Sequence, residues 1–296
     1  MLFAIGSNMK EEVSAQVKAF LRQSGFRAKK RLGQHFLVDE ELMECILSAA
    51  DISINDIVIE VGPGLGILTV RLAEMASEVI AVEIDSRLVS ILRGKLASSP
   101  NVKIIHADIL KVTPRHLLEN YLTTPELAQN YKVVANLPYY ITSPVIRHFL
   151  ESPWKPSLMV IMVQKEVGEA IAAAPGKMSL LSVIVQFYSK PAIVAYVPAA
   201  SFYPSPKVDS VVLRLDVYPK PFVEVANIES FFDIVRCGFC APRKQLRNSL
   251  AKALEMPGSQ VTLILEKAGI EAKRRAETLS LEEWKELWKV LAPFRK

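Results

Sequence analysis

The sequence predicts an α/β fold: a Rossmann-like, seven-stranded, mainly parallel sheet followed by a small C-terminal all-α region. Three observations carry this. Short β-type runs rich in Val and Ile alternate with helical spacing between residues 57 and 217. A glycine turn, Gly62-Pro63-Gly64-Leu65-Gly66, directly follows the first run and opens a helix. Beyond residue 218 the β-type runs stop and only short amphipathic helices remain. Strand–helix alternation implies right-handed crossovers, and so neighbouring strands that run parallel.

The elements follow in order. Val13, Val17, Phe20 and Leu21 repeat at helical spacing over residues 9–24, and Ser24-Gly25 supplies a stop. The basic run Lys29, Lys30, Arg31 comes next, and Asp39 can cap a helix through about residue 50. Strands are expected at 57–61, 79–82, 102–106, 131–135, 158–163, 192–197 and 210–217, with helices at about 67–76 and 86–97. Pro219 and Pro221 mark a linker, and helices are expected at 246–254 and 281–291. The expected organisation is a helical and basic arm (1–30), a sheet domain (31–218) and a small helical domain (219–296).

Composition narrows the function. The 296 residues suffice for about two domains. Lys plus Arg (36) exceeds Asp plus Glu (31), a formal charge of +5 that permits an anionic partner such as RNA without demanding one. Three cysteines are too few for a disulfide scaffold and point to a reducing compartment. Cys237 and Cys240 have zinc-knuckle spacing, but Cys45 is the one other thiol, so they read as small helix residues and no metal is expected. The longest apolar runs are strand-sized, too short for a membrane span, and Glu11 and Glu12 break any signal-peptide order. The expected location is the cytoplasm.

The candidate cofactor site is built from strand ends. Gly62, Gly64 and Gly66 make G-x-G-x-G, not the G-x-G-x-x-G of dinucleotide binders, and Pro63 removes an N–H that a pyrophosphate could use. Glu83, ending the second strand, can accept from both hydroxyls of a ribose; alone it reads equally as a charge at a helix N-terminus. Asp108, ending the third, can accept from an adenine amine, with Ile84 and Ile109 flanking the ring; alone it reads as a helix N-cap. Together they converge on one crevice, which fits an adenosine-type cofactor without phosphates.

The candidate target site is Asn136-Leu137-Pro138-Tyr139, ending the fourth strand. An adenine N6 amine is a poor nucleophile because its lone pair is delocalised into the ring. The Asn136 side-chain oxygen and the Leu137 carbonyl can draw its hydrogens off the ring plane, with Pro138 fixing the backbone. Tyr139 can stack on the base, and the proline-stiffened loop from Phe202 to Ser210 can present Phe202 as a second stacking face. The plain alternatives are an Asn-Pro turn with a surface tyrosine and a rigid loop with a core phenylalanine.

These motifs, with Leu32-Gly33-Gln34-His35-Phe36-Leu37, Gln164-Lys165-Glu166-Val167 and Pro206-Lys207-Val208-Asp209-Ser210, resemble the ribosomal RNA adenine dimethyltransferases. The branch they resemble is the bacterial kasugamycin-sensitivity type, which modifies small-subunit RNA. The resemblance implies S-adenosylmethionine as cofactor and two methyl transfers to each of two adjacent adenines in a hairpin loop near the 3′ end of 16S RNA. It implies that His35 and Leu37 line the methionine end of the cofactor with Gly62, Glu83, Asp108 and Asn136. Position 35 is often asparagine in the family, and Tyr140 stands where asparagine is frequent. The partner implied is 16S RNA within the small subunit or its precursor, met by a monomer, with no membrane involved.

Residues 239–250 resemble the small-subunit branch in particular. Arg243 and Arg247, four apart, are expected on one helix face where they could meet phosphates. The expected RNA-docking set is Lys29, Lys30, Arg31, Lys207, Arg243, Lys244 and Arg247, with Lys273, Arg274 and Arg275 as further candidates. Two alternatives stay open: the antibiotic-resistance branch acting on 23S RNA, and a non-catalytic nucleic-acid-binding factor on the same scaffold.

Overall fold

A computed structural model describes residues 17, 19, 21, 28, 29, 32–122 and 130–294. The strands are β1 (Phe36–Leu37), β2 (Ile57–Val61), β3 (Glu78–Glu83), β4 (Val102–His106), β5 (Tyr131–Asn136), β6 (Leu158–Gln164), β7 (Ser189–Val197), β8 (Phe202–Tyr203) and β9 (Ser210–Val217). Seven form one sheet in the order β4-β3-β2-β5-β6-β9-β7, while β1 and β8 pair separately and antiparallel. The pairs β2–β3, β2–β5, β3–β4 and β5–β6 are parallel, and β6–β9 is antiparallel. The seven expected strands are all present; the short β1–β8 pair is additional.

The chain runs from β2 outward to β4, then returns to the other side of β2 for β5 and β6. The order therefore reverses between β2 and β5, and a crevice opens there at the carboxyl ends of the strands. Register places these ends side by side, with Val61 opposite both Val82 and Ala135. Every residue of β2 and β3 is buried, as a parallel sheet covered on both faces requires. β7, at the edge, instead alternates exposed with less exposed positions.

The capping chemistry is local. The Asp39 carboxylate accepts from Leu42 N–H and starts helix Glu40–Ala50; Asp85 accepts from Arg87 N–H and starts helix Ser86–Lys95. Val17, Ala19 and Leu21 are helical, and Val17 and Leu21 are buried in a cluster with Phe36, Val38, Leu65 and Leu88. The rest of the expected 9–24 helix lies outside the described residues.

The described chain divides into two compact units. The first holds the residues up to Gly168 and Ala192–Val217; the second holds Glu169–Pro191 with the chain from Tyr218 onward. The segment Glu169–Pro191, which the boundary at 218/219 assigns to the sheet domain, groups with the helical unit. One reason is visible within that unit. Gly176 and Met178 N–H groups both donate to the Glu277 carbonyl, and Phe187 stacks on Phe231. The second unit carries helices Ile228–Phe239, Leu246–Leu254, Gly258–Lys267 and Leu281–Leu291.

Candidate active site

A cavity of about 380 Å³ opens where β2, β3, β4 and β5 end. It is lined from Glu60 to Leu65, from Val82 to Ile84, from Ala107 to Leu110, and by Leu32 to Leu37, Asn136, Pro138 and Tyr140. His35, Leu37, Gly62, Gly64, Glu83, Ile84, Asp108, Ile109 and Asn136, all expected at a cofactor site, line it together.

The turn after β2 closes tightly because its glycines take the left-handed region, with φ of 70° at Gly62 and 60° at Gly64. A Cβ on Gly64 would also come 3.2 Å from the Phe36 ring. Across the crevice, the Asn136 carbonyl oxygen lies 3.8 Å from where a Gly62 Cβ would stand.

Three acids face this space. Glu83 is buried; its Oε2 accepts from Gly64 N–H at 3.2 Å and its Oε1 from Asp85 N–H at 2.9 Å. Burial raises its pKa, and these backbone donors oppose the rise. Each oxygen keeps a further lone pair for a ligand. Asp108 Oδ1 accepts from Leu110 N–H at 3.1 Å, so this residue both caps a short turn and lines the cavity. Glu60 is 2% exposed, and its Oε2 has no hydrogen-bond partner among the described residues. Its pKa is pushed up to about 8, by burial first, with the Glu83 charge adding and the Thr69 hydroxyl opposing.

Asn136 ends β5 on the same rim. Its Nδ2 donates to the His35 carbonyl at 3.0 Å, which leaves Oδ1 as the amide atom free to accept. His35 Nδ1–H donates to the Pro204 carbonyl at 2.6 Å, and its ring stacks on Tyr139 with centroids 6.1 Å apart. Leu137 is buried, its N–H donating to the Met162 carbonyl at 3.2 Å. Tyr139 hydrogen-bonds Ser210 Oγ at 2.7 Å and does not line the cavity itself. Burial raises its pKa, the Asp209 charge adds, and the Ser210 bond opposes.

Some expected positions are corrected. Phe202 is not a presented stacking face: β8 pairs Phe202 with Leu37 and turns its ring into the core, 3% exposed, beside Val197 and Val212. Arg243 does not share a helix face with Arg247. The chain turns at Ala241–Lys244, where Pro242 has no N–H to continue a helix, and the next helix starts at Leu246. Lys29 is engaged with Asp85, Nζ to Oδ1 at 3.3 Å, and Arg87 and Gln34 bind the same carboxylate. Arg87, Gln34 and Lys29 hold Asp85 well below the usual carboxylate range. Arg274 is engaged with Glu283 and Thr278, and Arg275 with Glu277. Lys207, Arg243 and Lys244 are exposed and Arg247 is half-buried. Lys30 and Arg31 lie outside the described residues. Among the described residues no cluster of three His, Cys, Asp or Glu could hold a metal, and no helix is long and apolar enough to cross a membrane.

Comparison with known proteins decides the family. The sequence model of the family described as ribosomal RNA adenine dimethylase matches residues 25–292. The chain belongs to that family. The chain is 47% identical over 273 residues to the ribosomal RNA small subunit methyltransferase A of Dehalococcoides mccartyi, covering 92% of this chain and 91% of the relative. The protein of the same name from Moorella thermoacetica is 43% identical over 276 residues, covering 92% and 96%. Among solved structures, a dimethyladenosine transferase from Plasmodium falciparum superposes with a TM-score of 0.74 at 27% identity, covering 88% of this chain and 98% of that one. The 23S rRNA methyltransferase ErmE superposes with a TM-score of 0.68 at 30% identity, covering 87% and 99%.

Two cavity residues of this dimethylase-family chain escaped sequence reasoning. Glu60 sits inside an all-buried strand, and a charge there was itself the available signal. Tyr140 follows the expected tetrapeptide, read only as a departure from asparagine. The residue is exposed and lines the cavity, where Tyr139 does not.

Proposed function

We propose that this protein transfers methyl groups from S-adenosylmethionine to the N6 amines of two adjacent adenines, giving N6,N6-dimethyladenine. The adenines lie in a hairpin loop near the 3′ end of 16S ribosomal RNA, within the small subunit or its precursor. The observation that carries the reading is the Asn136 side chain: its Nδ2 is bound to the His35 carbonyl, so Oδ1 is left to accept beside the glycine turn and the strand-end acids.

The cavity fits an adenosine-type cofactor without phosphates. Glu83 would receive the ribose hydroxyls, Asp108 the adenine amine, and Ile84 and Ile109 would flank the ring. Gly62, Gly64, His35 and Leu37 would border the methionine end, near the uncommitted Glu60 Oε2. When bound, the cofactor supplies a methyl group on a positively charged sulfur with a neutral thioether as leaving group.

The chain's own residues then align the amine. Asn136 Oδ1 and the Leu137 carbonyl accept its hydrogens and pull them off the ring plane, which concentrates the nitrogen lone pair for in-line attack. Pro138 holds the turn, and Tyr139, fixed by Ser210 and His35, forms a base-stacking wall. No strong base is required, because a methylated ammonium readily loses its proton to water. The target base must be unpaired or turned out of its helix to reach this site. Lys207, Arg243, Lys244 and Arg247 are the candidates for phosphate contacts, with Lys30 and Arg31. The protein acts as a monomer in the cytoplasm, where small subunits are assembled.

The small-subunit target is favoured over 23S RNA because relatives named for the small subunit share 40–47% identity, against 30% with the 23S enzyme. The test is mass spectrometry of unmodified small and large subunits after incubation with methyl-labelled cofactor. Dimethyladenine in 16S RNA is expected. Label in 23S RNA alone would overturn the assignment.

A further inference from the structure

Tyr140 stands at the mouth of the cavity. The residue is 57% exposed yet lines the cavity, as does Ile84 at 46%. Its neighbours are the Gly33 loop and the rest of the cavity wall. Gly33 has a φ of 58°, and a Cβ there would come 3.3 Å from Pro138 Cβ and 3.7 Å from Tyr140 Cδ1. The bare glycine lets the loop that carries His35 lie against the turn that carries Tyr140. The Asp108 and Glu83 carboxylates line the same cavity. Burial raises the Tyr140 phenol pKa first, and the charges of Asp108 and Glu83 add to it. The residue therefore packs by the Gly33 loop and shares the cavity wall with the acids that end β3 and β4.

We propose that Tyr140 closes the mouth of the cavity over the bound cofactor and sets how long cofactor and product stay. This rests on the S-adenosylmethionine reading above. A flat aromatic ring at the mouth offers a broad apolar surface that can cover a bound ligand. Each methyl transfer consumes one cofactor, so the cavity must empty and refill between transfers. A wall that faces solvent can swing aside without unpacking the core, which a buried residue could not do. Tyr140 is thus a positioning residue for the cofactor, while Tyr139, bonded to Ser210, is left to the base.

The test uses the full chain. Calorimetry with S-adenosylmethionine and S-adenosylhomocysteine gives Kd, and chase of labelled ligand with unlabelled gives the dissociation rate. Tyr140→Ala and Tyr140→Asn are expected to raise Kd about tenfold, mostly through faster dissociation, with the melting temperature of the ligand-free protein unchanged. Tyr140→Phe, which keeps the ring, is expected to stay within about twofold of the unaltered protein. Unchanged Kd and dissociation rate in both ring-free variants would overturn the proposal alone. Absence of binding by the unaltered protein would sink the cofactor reading, and this proposal with it.

Discussion

Asn136 donates its side-chain amide to the backbone carbonyl of His35 at 3.0 Å, joining residues 101 positions apart. The bond settles which end of the amide is free. His35 is itself held by the Pro204 carbonyl and by stacking on Tyr139. The loop before β1, the end of β5 and the loop after β8 are therefore tied into one unit around the oxygen that would meet the amine.

From this follows the first prediction. Asn136→Ala removes the acceptor that aligns the nucleophile but leaves the strand-end acids in place. Turnover should fall about 100-fold, while cofactor Kd, measured by calorimetry, should stay within about threefold. Equal losses in both would show that Asn136 shapes the cofactor cavity and does not align the amine.

Glu60 gives a prediction about pH. Its pKa of about 8 in the fold exceeds the ordinary 4.5, so between these values the folded chain keeps a proton that the unfolded chain has released. Raising pH through this window favours the unfolded chain, so this contribution is full below about 4.5 and is lost as pH passes about 8. Urea unfolding of the ligand-free protein should show stability declining from pH 5 to pH 8. Glu60→Gln, which has no charge to form, should lessen that decline by at least about 1 kcal/mol. Identical pH slopes for the two proteins would mean that Glu60 is ionised at neutral pH.

Much of this site was legible because strand ends are legible. Periodicity and turn chemistry locate where β2, β3, β4 and β5 stop, and a parallel sheet with this order brings those stops together. Gly62, Glu83, Asp108 and Asn136 line one cavity for that reason. Phe202 was misplaced because a two-residue strand has no period: nothing in Phe202-Tyr203 says which ring faces the core, and only pairing with Leu37 decides it. Arg243 falls off the expected helix face because charge spacing alone does not register that the helix begins only at Leu246, beyond Pro242. The grouping of Glu169–Pro191 with the helical unit rests on long-range contacts such as Gly176 to Glu277, which no local pattern encodes.

The basic residues divide into those committed within the fold and those free to meet RNA, and salt dependence separates them. Replacing Arg243 and Lys244, both exposed, by Ala should weaken RNA binding. The slope of log K against log salt should also shrink by about 1 for each phosphate that is no longer neutralised. Arg274→Ala should leave the slope unchanged and lower the melting temperature, because Glu283 loses its ion pair and the Thr278 carbonyl loses its donor. Filter binding at several salt concentrations measures the first effect and thermal unfolding the second. A reduced slope in Arg274→Ala would move that residue to the RNA side.

Two glycines in helices should respond to alanine with opposite signs. Gly94 lies in helix Ser86–Lys95, exposed, with nothing within 4 Å of an added Cβ. Gly94→Ala should stabilise by about 0.5–1 kcal/mol, the backbone entropy that glycine costs in a helix. Gly238 lies in helix Ile228–Phe239, where an added Cβ would stand 2.3 Å from Trp284 Cη2 and 3.1 Å from Leu246 Cδ1. The same helical gain applies there, but Trp284 is fully buried, so its ring must be pushed against its neighbours in the core. Overpacking of this kind costs about 1–3 kcal/mol, more than the propensity returns, so Gly238→Ala should be net destabilising. Denaturant unfolding of both variants checks the pair. A stabilising Gly238→Ala would mean that the helix and Trp284 move apart cheaply, and that this packing does not fix the C-terminal helices.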